Sequence, residues 1–593
     1  MGKSLLGPGF LKKGTGVLAR GLVVATFVVA LLSLTGCPPG PPPPPASQVP
    51  PDAQDLCPLS LSTFQGWFHS GSVTANGVVD PADSLTFLNP DCDFYSWSER
   101  MFLWLTSPAP ASYGGGGGLI LNSPAFYDVS PPDAGGNRTL IAHSTGLISR
   151  FPLRAAQVGA HGLPVIMDTA GRLIEVDRTP PKGPPVVRDL EGNTIEIAHA
   201  RLERGKLILL DKAGKPINFR PAEPPKQLRA EKRARNSIIA QRFLIDGITF
   251  FLDPTLSVIT VEQGQAGDSG VLESQTGSLV YYATMVNDVY AYFLTGQKPG
   301  TISASVFPTT STELNSIIAF ATSHGKPSPP FPDPNALAIE VKSSWVLASA
   351  VSNPNDYITM TATVPTYDTV TDPDHRRAEN GQQTVKLALV GIHVVGSTNT
   401  HTEMVWATFE HFNNTPLAGY TYTNSSGAST MVNQPTSGTW LFSASPPSTT
   451  PNQQHMFFIG PPTNAIQSST GFTISPSDTV RTMPWGTDPN DAAHNTEVIS
   501  MNEHVLGMLA GGDIRANYFM TGATWIAGGG PPSTGFQVGN ARMSNTTMET
   551  YQQGSNCFDC HSDPTMLGAP PPPPTPSVDQ GLSHIYEQIR PLF

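Results

Sequence analysis

Near its carboxyl end the chain reads Cys557-Phe558-Asp559-Cys560-His561. Two thiols separated by two residues and followed at once by an imidazole suit covalent attachment of haem c. The sulfurs of Cys557 and Cys560 would form thioethers to the two vinyl groups, and His561 would be the proximal iron ligand. A zinc knuckle would need a second Cys-x-x-Cys or a His pair to complete four ligands, and the chain has neither. One covalently attached haem c is therefore the expected cofactor, provided that the segment is exported.

Thr546-Thr547-Met548-Glu549 has the form of a capping box, which predicts a helix carrying Tyr551 toward Cys557. A helix running into the motif resembles the first helix of c-type cytochromes. The remainder departs from them: few residues follow His561, and Pro570 to Pro574 among them predict an extended strap. The haem is thus expected to pack against the preceding body, which would supply part of its pocket.

The sixth iron ligand has several candidates. His584 heads the order, on a short helix expected over Leu582 to Ile589 that can reach the far face. An open or water-ligated iron comes next, followed by a methionine or His504. Met566 follows His561 too closely, with a reach of at most about 17 Å, and Met543 and Met548 share that difficulty. His504 is expected on a helix capped by Ser500 and Glu503 and ended by Gly511, one face of which also carries Met501, Val505 and Met508. On such a face a packed core histidine is the simpler reading.

Export follows from the other end. Lys3, Lys12, Lys13 and Arg20 precede an apolar run from Leu22 to Leu32, short for a membrane span. The run ends in Leu34-Thr35-Gly36-Cys37, which resembles a bacterial lipobox. That resemblance implies cleavage before Cys37, lipidation of its thiol and, with Pro38 following, an outer-membrane anchor facing the periplasm or cell surface. The alternative is an uncleaved N-terminal anchor. With Cys37 lipidated and Cys557 and Cys560 on haem, Cys57 and Cys92 remain, and in an oxidising compartment they most simply form a disulfide. Such a bridge would stabilise the fold by roughly 3–4 kcal/mol on the chain-entropy model. A redox-active pair would call for closer spacing.

The chain has 34 basic and 46 acidic residues, and losing the four basic residues before Cys37 leaves a formal charge of −16. That argues against nucleic acid as a partner. With 55 Gly, 59 Pro and only 13% charged residues, turns and short strands should outnumber long helices. We read 1–36 as a lipoprotein signal peptide, 37–56 as a Pro-rich tether and 57–153 as a mixed segment containing the disulfide. Residues 154–220 read as an inserted hairpin repeat, 221–540 as a β-rich body and 541–593 as the haem-binding segment. The fold class is mainly β (α+β): a large antiparallel body with a small C-terminal helical haem c segment packed on it.

In 57–153, Phe94, Trp97, Met101, Trp104 and Leu105 share a helical face that reads as core. In the repeat, Asp168, Asp189 and Asp211 each begin an Asp-x-x-Gly turn between alternating apolar runs, the pattern of three hairpins. Lys226 to Arg242 reads as a helix with one basic face, solvated or docking an acidic redox partner. Strands are expected at Ile248–Leu252, Ser278–Thr284, Ala338–Ala348, Val385–Val395 and Glu403–His411.

A second polar cluster comprises His393, His401, Glu403 and His411. On a strand from 401 to 411 the odd residues share a face, yet His401 and His411 would stand about 33 Å apart at ~3.3 Å per residue. His401 with Glu403, joined by His393, could hold a metal or act as acid and base; hydrogen-bonded sheet residues are the simpler expectation.

At family level, His401 to Asn414 and Thr546 to His561 resemble a group of uncharacterised bacterial proteins of the cytochrome c family, of similar length and with one C-terminal haem motif. The resemblance spans much of 57–593, and its specific part is Cys557, Cys560 and His561. It implies a monohaem c-type cytochrome lipoprotein that transfers single electrons to or from a redox partner protein. One alternative is a haem-dependent oxidoreductase or peroxidase whose body binds a small-molecule substrate. Another is a surface binding or adhesion module with structural haem.

Overall fold

The computed structural model describes residues 49–593 except 87–90, 115–117, 132–136, 145–146, 154–164, 168–172, 178–182, 204–205, 220–237, 246–247, 260–269, 305, 328, 460–463, 469–470, 531–535, 555, 562–584 and 587. The residues read as a signal peptide, Cys37, most of those read as a tether, Lys226 to Arg235, Met566, the proline run at 570–574 and His584 lie outside the described residues. Residues 47–593 form one compact unit.

The protein is mainly β, built on an antiparallel sheet of eleven strands. In chain order these are β1 (Phe126–Val129), β2 (Leu140–Ala142), β3 (Tyr281–Asn287), β4 (Ile339–Leu347), β5 (Thr359–Tyr367), β6 (Arg376–Thr398), β7 (His401–His411), β8 (Met456–Ile459), β9 (Ala465–Ser468), β10 (Tyr518–Ile526) and β11 (Gln537–Gly539). The spatial order is β2-β1-β3-β4-β6-β7-β10-β11. The 23-residue β6 organises it, pairing with β9 and β5 early and with β4 and β7 later. Its final stretch, Leu387 to Val395, is apolar apart from Gly391 and His393, as a strand covered on both faces must be.

The described residues also form six α-helices: α1 (Leu61–Gln65), α2 (Asp91–Leu105), α3 (Asp288–Gln297), α4 (Ser311–Ser323), α5 (Ala492–Met508) and α6 (Cys557–His561). Against one face of the sheet lie α2 and α5. Phe102 of α2 stacks on Phe409 of β7, with ring centroids 4.4 Å apart and planes at 10°, and Phe94 stacks on Trp525 of β10 at 4.0 Å. A disulfide joins Cys57 to Cys92 in the first turn of α2. A second apolar cluster contains Tyr290, Phe293, Leu314 and Ile317 of α3 and α4 together with Ile585, Tyr586 and Ile589. None of the helices among the described residues is long and apolar enough to cross a membrane.

Residues 165–259 form smaller β-structures, including a five-stranded sheet. Two aspartate turns are fully described. Asp189 Oδ1 accepts the N–H of Glu191 and Asn193, and Asp211 Oδ1 those of Ala213 and Lys215; Gly192 and Gly214 hold the positive φ these loops require. A third such turn, at Asp253, escapes a search for Asp-x-x-Gly because Leu256 takes the positive φ there.

Several local expectations are corrected. Ile239–Ile245 is a strand paired with Ile248–Leu252, so the helix expected through Arg242 does not extend across these residues. The apolar Ile238-Ile239 pair finds a sheet there instead. Helix α5 begins at Ala492 with Asp491 as its cap, whose Oδ1 accepts the His494 N–H at 3.3 Å, so Ser500 and Glu503 lie inside the helix. Residues 52–54 are bonded to the body, through Gln54 N–H to Thr423 O and Ser425 N–H to Asp52 O, and therefore do not belong to a free spacer. The Gln588 and Ile589 N–H groups both bond to Ile585 O, and Ile589 then bridges to Arg138.

Candidate functional site at the Cys557–His561 helix

The helix α6 is a single turn, too short to hold its place by propensity. Side-chain packing holds it. Phe558 is fully buried against Ile526 and Trp406, the two rings meeting edge-on at 6.1 Å. At its start the Cys557 N–H donates to Ala541 O at 3.0 Å. At its end the His561 ring lies 4.5 Å from the Trp406 ring, with planes at 53°. Trp406 belongs to β7, and its Nε1–H donates to the Glu403 carbonyl at 3.1 Å. Positions 557, 560 and 561 fall within one helical turn, so two thiol-bearing residues and an imidazole are offered by one short element. Cys557 and His561 are half-buried, and the Cys560 side chain lies outside the described residues.

The chain that leads into α6 is fastened by polar bonds. The helix expected from Thr546 is absent; residues 546–551 are turns. A capped turn forms one residue earlier: Asn545 Oδ1 accepts the Thr547 N–H, and Glu549 Oε2 accepts the Asn545 N–H, both at 2.9 Å. It does not continue because Glu549 is drawn to the sheet. Its Oε2 meets His393 Nε2 at 2.9 Å and its Oε1 meets Lys342 Nζ at 2.9 Å. Burial alone would raise the Glu549 carboxyl, but Lys342 and His393 together hold it well below the usual carboxylate range. Thr546 donates its N–H and its hydroxyl to Glu410, which is paired with fully buried Arg481. Gln553 donates to Val480 O at 2.9 Å and accepts the Thr482 N–H at 2.8 Å.

The second polar cluster divides between the faces of β7. Cross-strand register places His393 opposite Thr408, and its Nδ1 lies 2.7 Å from Thr408 Oγ1. His401 and Glu403 share the other face with Val405, Ala407 and Phe409, so His393 does not join them. His401 Nδ1 is 2.7 Å from Glu403 Oε1, and that carboxylate also accepts the Ile526 N–H at 3.0 Å and the Gly530 N–H at 3.4 Å. His411 lies flat on Tyr357 at 3.8 Å and donates Nε2–H to Asp356 O; burial pushes its pKa down to about 3, with the Asp356 carbonyl opposing. Among the described residues no group of three or more His, Cys, Asp or Glu is arranged to hold a metal ion.

Of the other candidate ligands, His504 bonds Asp55 through Nε2 at 2.9 Å on the partly exposed side of α5. Met543 and Met548 are buried core residues. The residues that sequence reading missed are Trp406 and Phe558. For Trp406 a signal existed: strand alternation puts it on the face opposite His401 and Glu403. For Phe558 no signal existed, because its partners Trp406 and Ile526 are distant in the chain. No protein-family model, curated protein or solved structure matches the chain.

Proposed function

We propose that the protein is an exported monohaem c-type cytochrome lipoprotein that carries single electrons. The observation that supports it is the donor set of α6, two cysteines and a histidine within one turn. Its resemblance to cytochrome c family sequences and the lipobox-like leader ending at Cys37 point the same way. Cys557 and Cys560 would carry the thioether bonds, and His561 the axial bond to iron. Bound haem c supplies an iron that exchanges one electron at a time. Trp406 limits rotation of the His561 ring and shields one side of it from water. Phe558 locks the helix onto β7 and β10, and the polar bonds of residues 545–553 keep it there. Cys37 would tether the chain to the outer membrane, with a redox protein as partner.

The test is a pyridine haemochrome assay on the mature protein, made in a host with working haem c maturation, with oxidised and reduced spectra. One covalent haem per chain is expected, and Cys557→Ala with Cys560→Ala should abolish covalent attachment. Absence of covalent haem from the unaltered protein overturns the reading.

A second reading, in which the body also binds a small-molecule substrate, draws on a cavity of 380 Å³ behind β7.

A further inference from the structure

That cavity lies beside the buried His401–Glu403 pair, and its walls sort by depth. Phe94, Tyr95, His401 and Trp525 are buried, at 0–2% exposure. Asp91 and His494 are exposed and Glu497 half-buried, the first two on the first turns of α2 and α5 and Glu497 on the second turn of α5. Its volume is within the ~300–1,000 Å³ usual for small-molecule sites. Stacked Phe94 and Trp525 provide an aromatic wall.

The chemistry of the deep end follows from hydrogen bonding. Glu403 has no exposed surface and accepts bonds from Ile526, Gly530 and His401, which suits an ionised carboxylate. His401 therefore gives its Nδ1–H to Glu403, and in the neutral ring Nε2 keeps a lone pair. Nε2 is buried and makes no hydrogen bond, although the ring borders a cavity. An unmet buried acceptor carries a desolvation cost that a ligand donor would recover. The Tyr95 hydroxyl is buried and faces the Glu497 carboxylate.

The mouth has a sign. Among the described residues no lysine or arginine lines the cavity, whereas Asp91 and Glu497 do. Burial raises the Glu497 carboxyl, reinforced by Asp91 and Asp491 and opposed by His494 and by the Tyr95 hydroxyl. His494 itself is paired with Asp491 at 2.9 Å. Acceptors at both depths, acidic groups at the entrance and aromatic faces along the wall favour a positively charged donor over a neutral or anionic one.

We propose that this cavity is a binding site for a small organic ammonium ion. Its N–H groups would donate to His401 Nε2, the Tyr95 hydroxyl oxygen and the Glu497 carboxylate, with its hydrocarbon part against Phe94 and Trp525. The site uses none of Cys557, Cys560 or His561, so it stands or falls separately from haem attachment.

The test is isothermal titration of the mature full-length protein with benzylammonium, benzyl alcohol and benzoate at pH 7 and low salt. Benzylammonium should bind one site at least tenfold more tightly than benzyl alcohol, and benzoate should give no saturable heat. Glu497→Gln, at the half-buried mouth, should weaken benzylammonium about tenfold while leaving the thermal midpoint unchanged. His401→Ala should abolish binding where circular dichroism shows it folded. Absence of benzylammonium binding, equal binding of all three probes, or full affinity in Glu497→Gln overturns the proposal.

Discussion

Two histidine–glutamate pairs lie on opposite faces of the sheet around β6 and β7 and do different things. His401–Glu403 is sealed, at 1% and 0% side-chain exposure, with one ring nitrogen held by the carboxylate and the other unbonded beside a cavity. His393–Glu549 is partly exposed, at 17% and 26%, and both its ring nitrogens are engaged, by Thr408 and by Glu549. Glu549 is further occupied by Lys342 and the Asn545 N–H. The second pair is a clamp that holds the approach to α6 on the sheet. The first is an oriented imidazole with spare bonding capacity. A histidine beside a carboxylate is therefore not by itself a sign of chemistry; the partner of the second nitrogen distinguishes the two cases.

The largest expected effect comes from breaking the sealed pair. Glu403→Ala strands the His401 imidazole and the Ile526 and Gly530 N–H groups in the interior, and should lower stability by about 3–5 kcal/mol. Denaturant unfolding measures it. A loss below about 1 kcal/mol would mean that water reaches the pair, and the contrast between the faces would fail.

Breaking the clamp should cost less, about 2 kcal/mol for Glu549→Ala at pH 7, because its members are partly solvated. This loss should also depend on pH. The folded carboxyl sits below its unfolded value, so its contribution is fully present above about pH 4.5 and fades as pH falls through the folded value. Unfolding curves of the two proteins should thus converge on acidification; a difference that stayed constant down to pH 2 would separate the clamp from Glu549 ionisation. Smallest of all is Lys342→Met. It removes one exposed partner of Glu549 and should cost only about 0.2–1 kcal/mol, with a smaller shift of the thermal midpoint than Glu549→Ala. A Lys342→Met loss matching Glu549→Ala would make the lysine, not the histidine, the core of the clamp.

Much of the architecture was legible because it rests on local periodicity. Alternation marked the strand His401–His411, the apolar face of Phe94, Trp97 and Met101 marked α2, and aspartate–glycine pairs marked the turns at 189 and 211. What misled was local too. Thr546 and Glu549 have the spacing of a capping box, yet Glu549 serves His393 and Lys342 instead. Grouping His393 with His401 failed because alternation orders residues within a strand and says nothing about register with its neighbour.

By itself, then, the sequence determined the close spacing of Cys557, Cys560 and His561, the β-rich class and the strand that presents His401 and Glu403. Each of these depends on residue type and near-neighbour spacing, which chain stereochemistry converts directly into structure. Only the tertiary structure decided that Trp406 meets His561, that His393 faces Glu549, and that His401 borders a cavity between α2, α5 and β10. Those contacts join residues up to about 300 positions apart in the chain, and their geometry follows from sheet register and helix packing, which arise only when distant segments compete to bury the same surface.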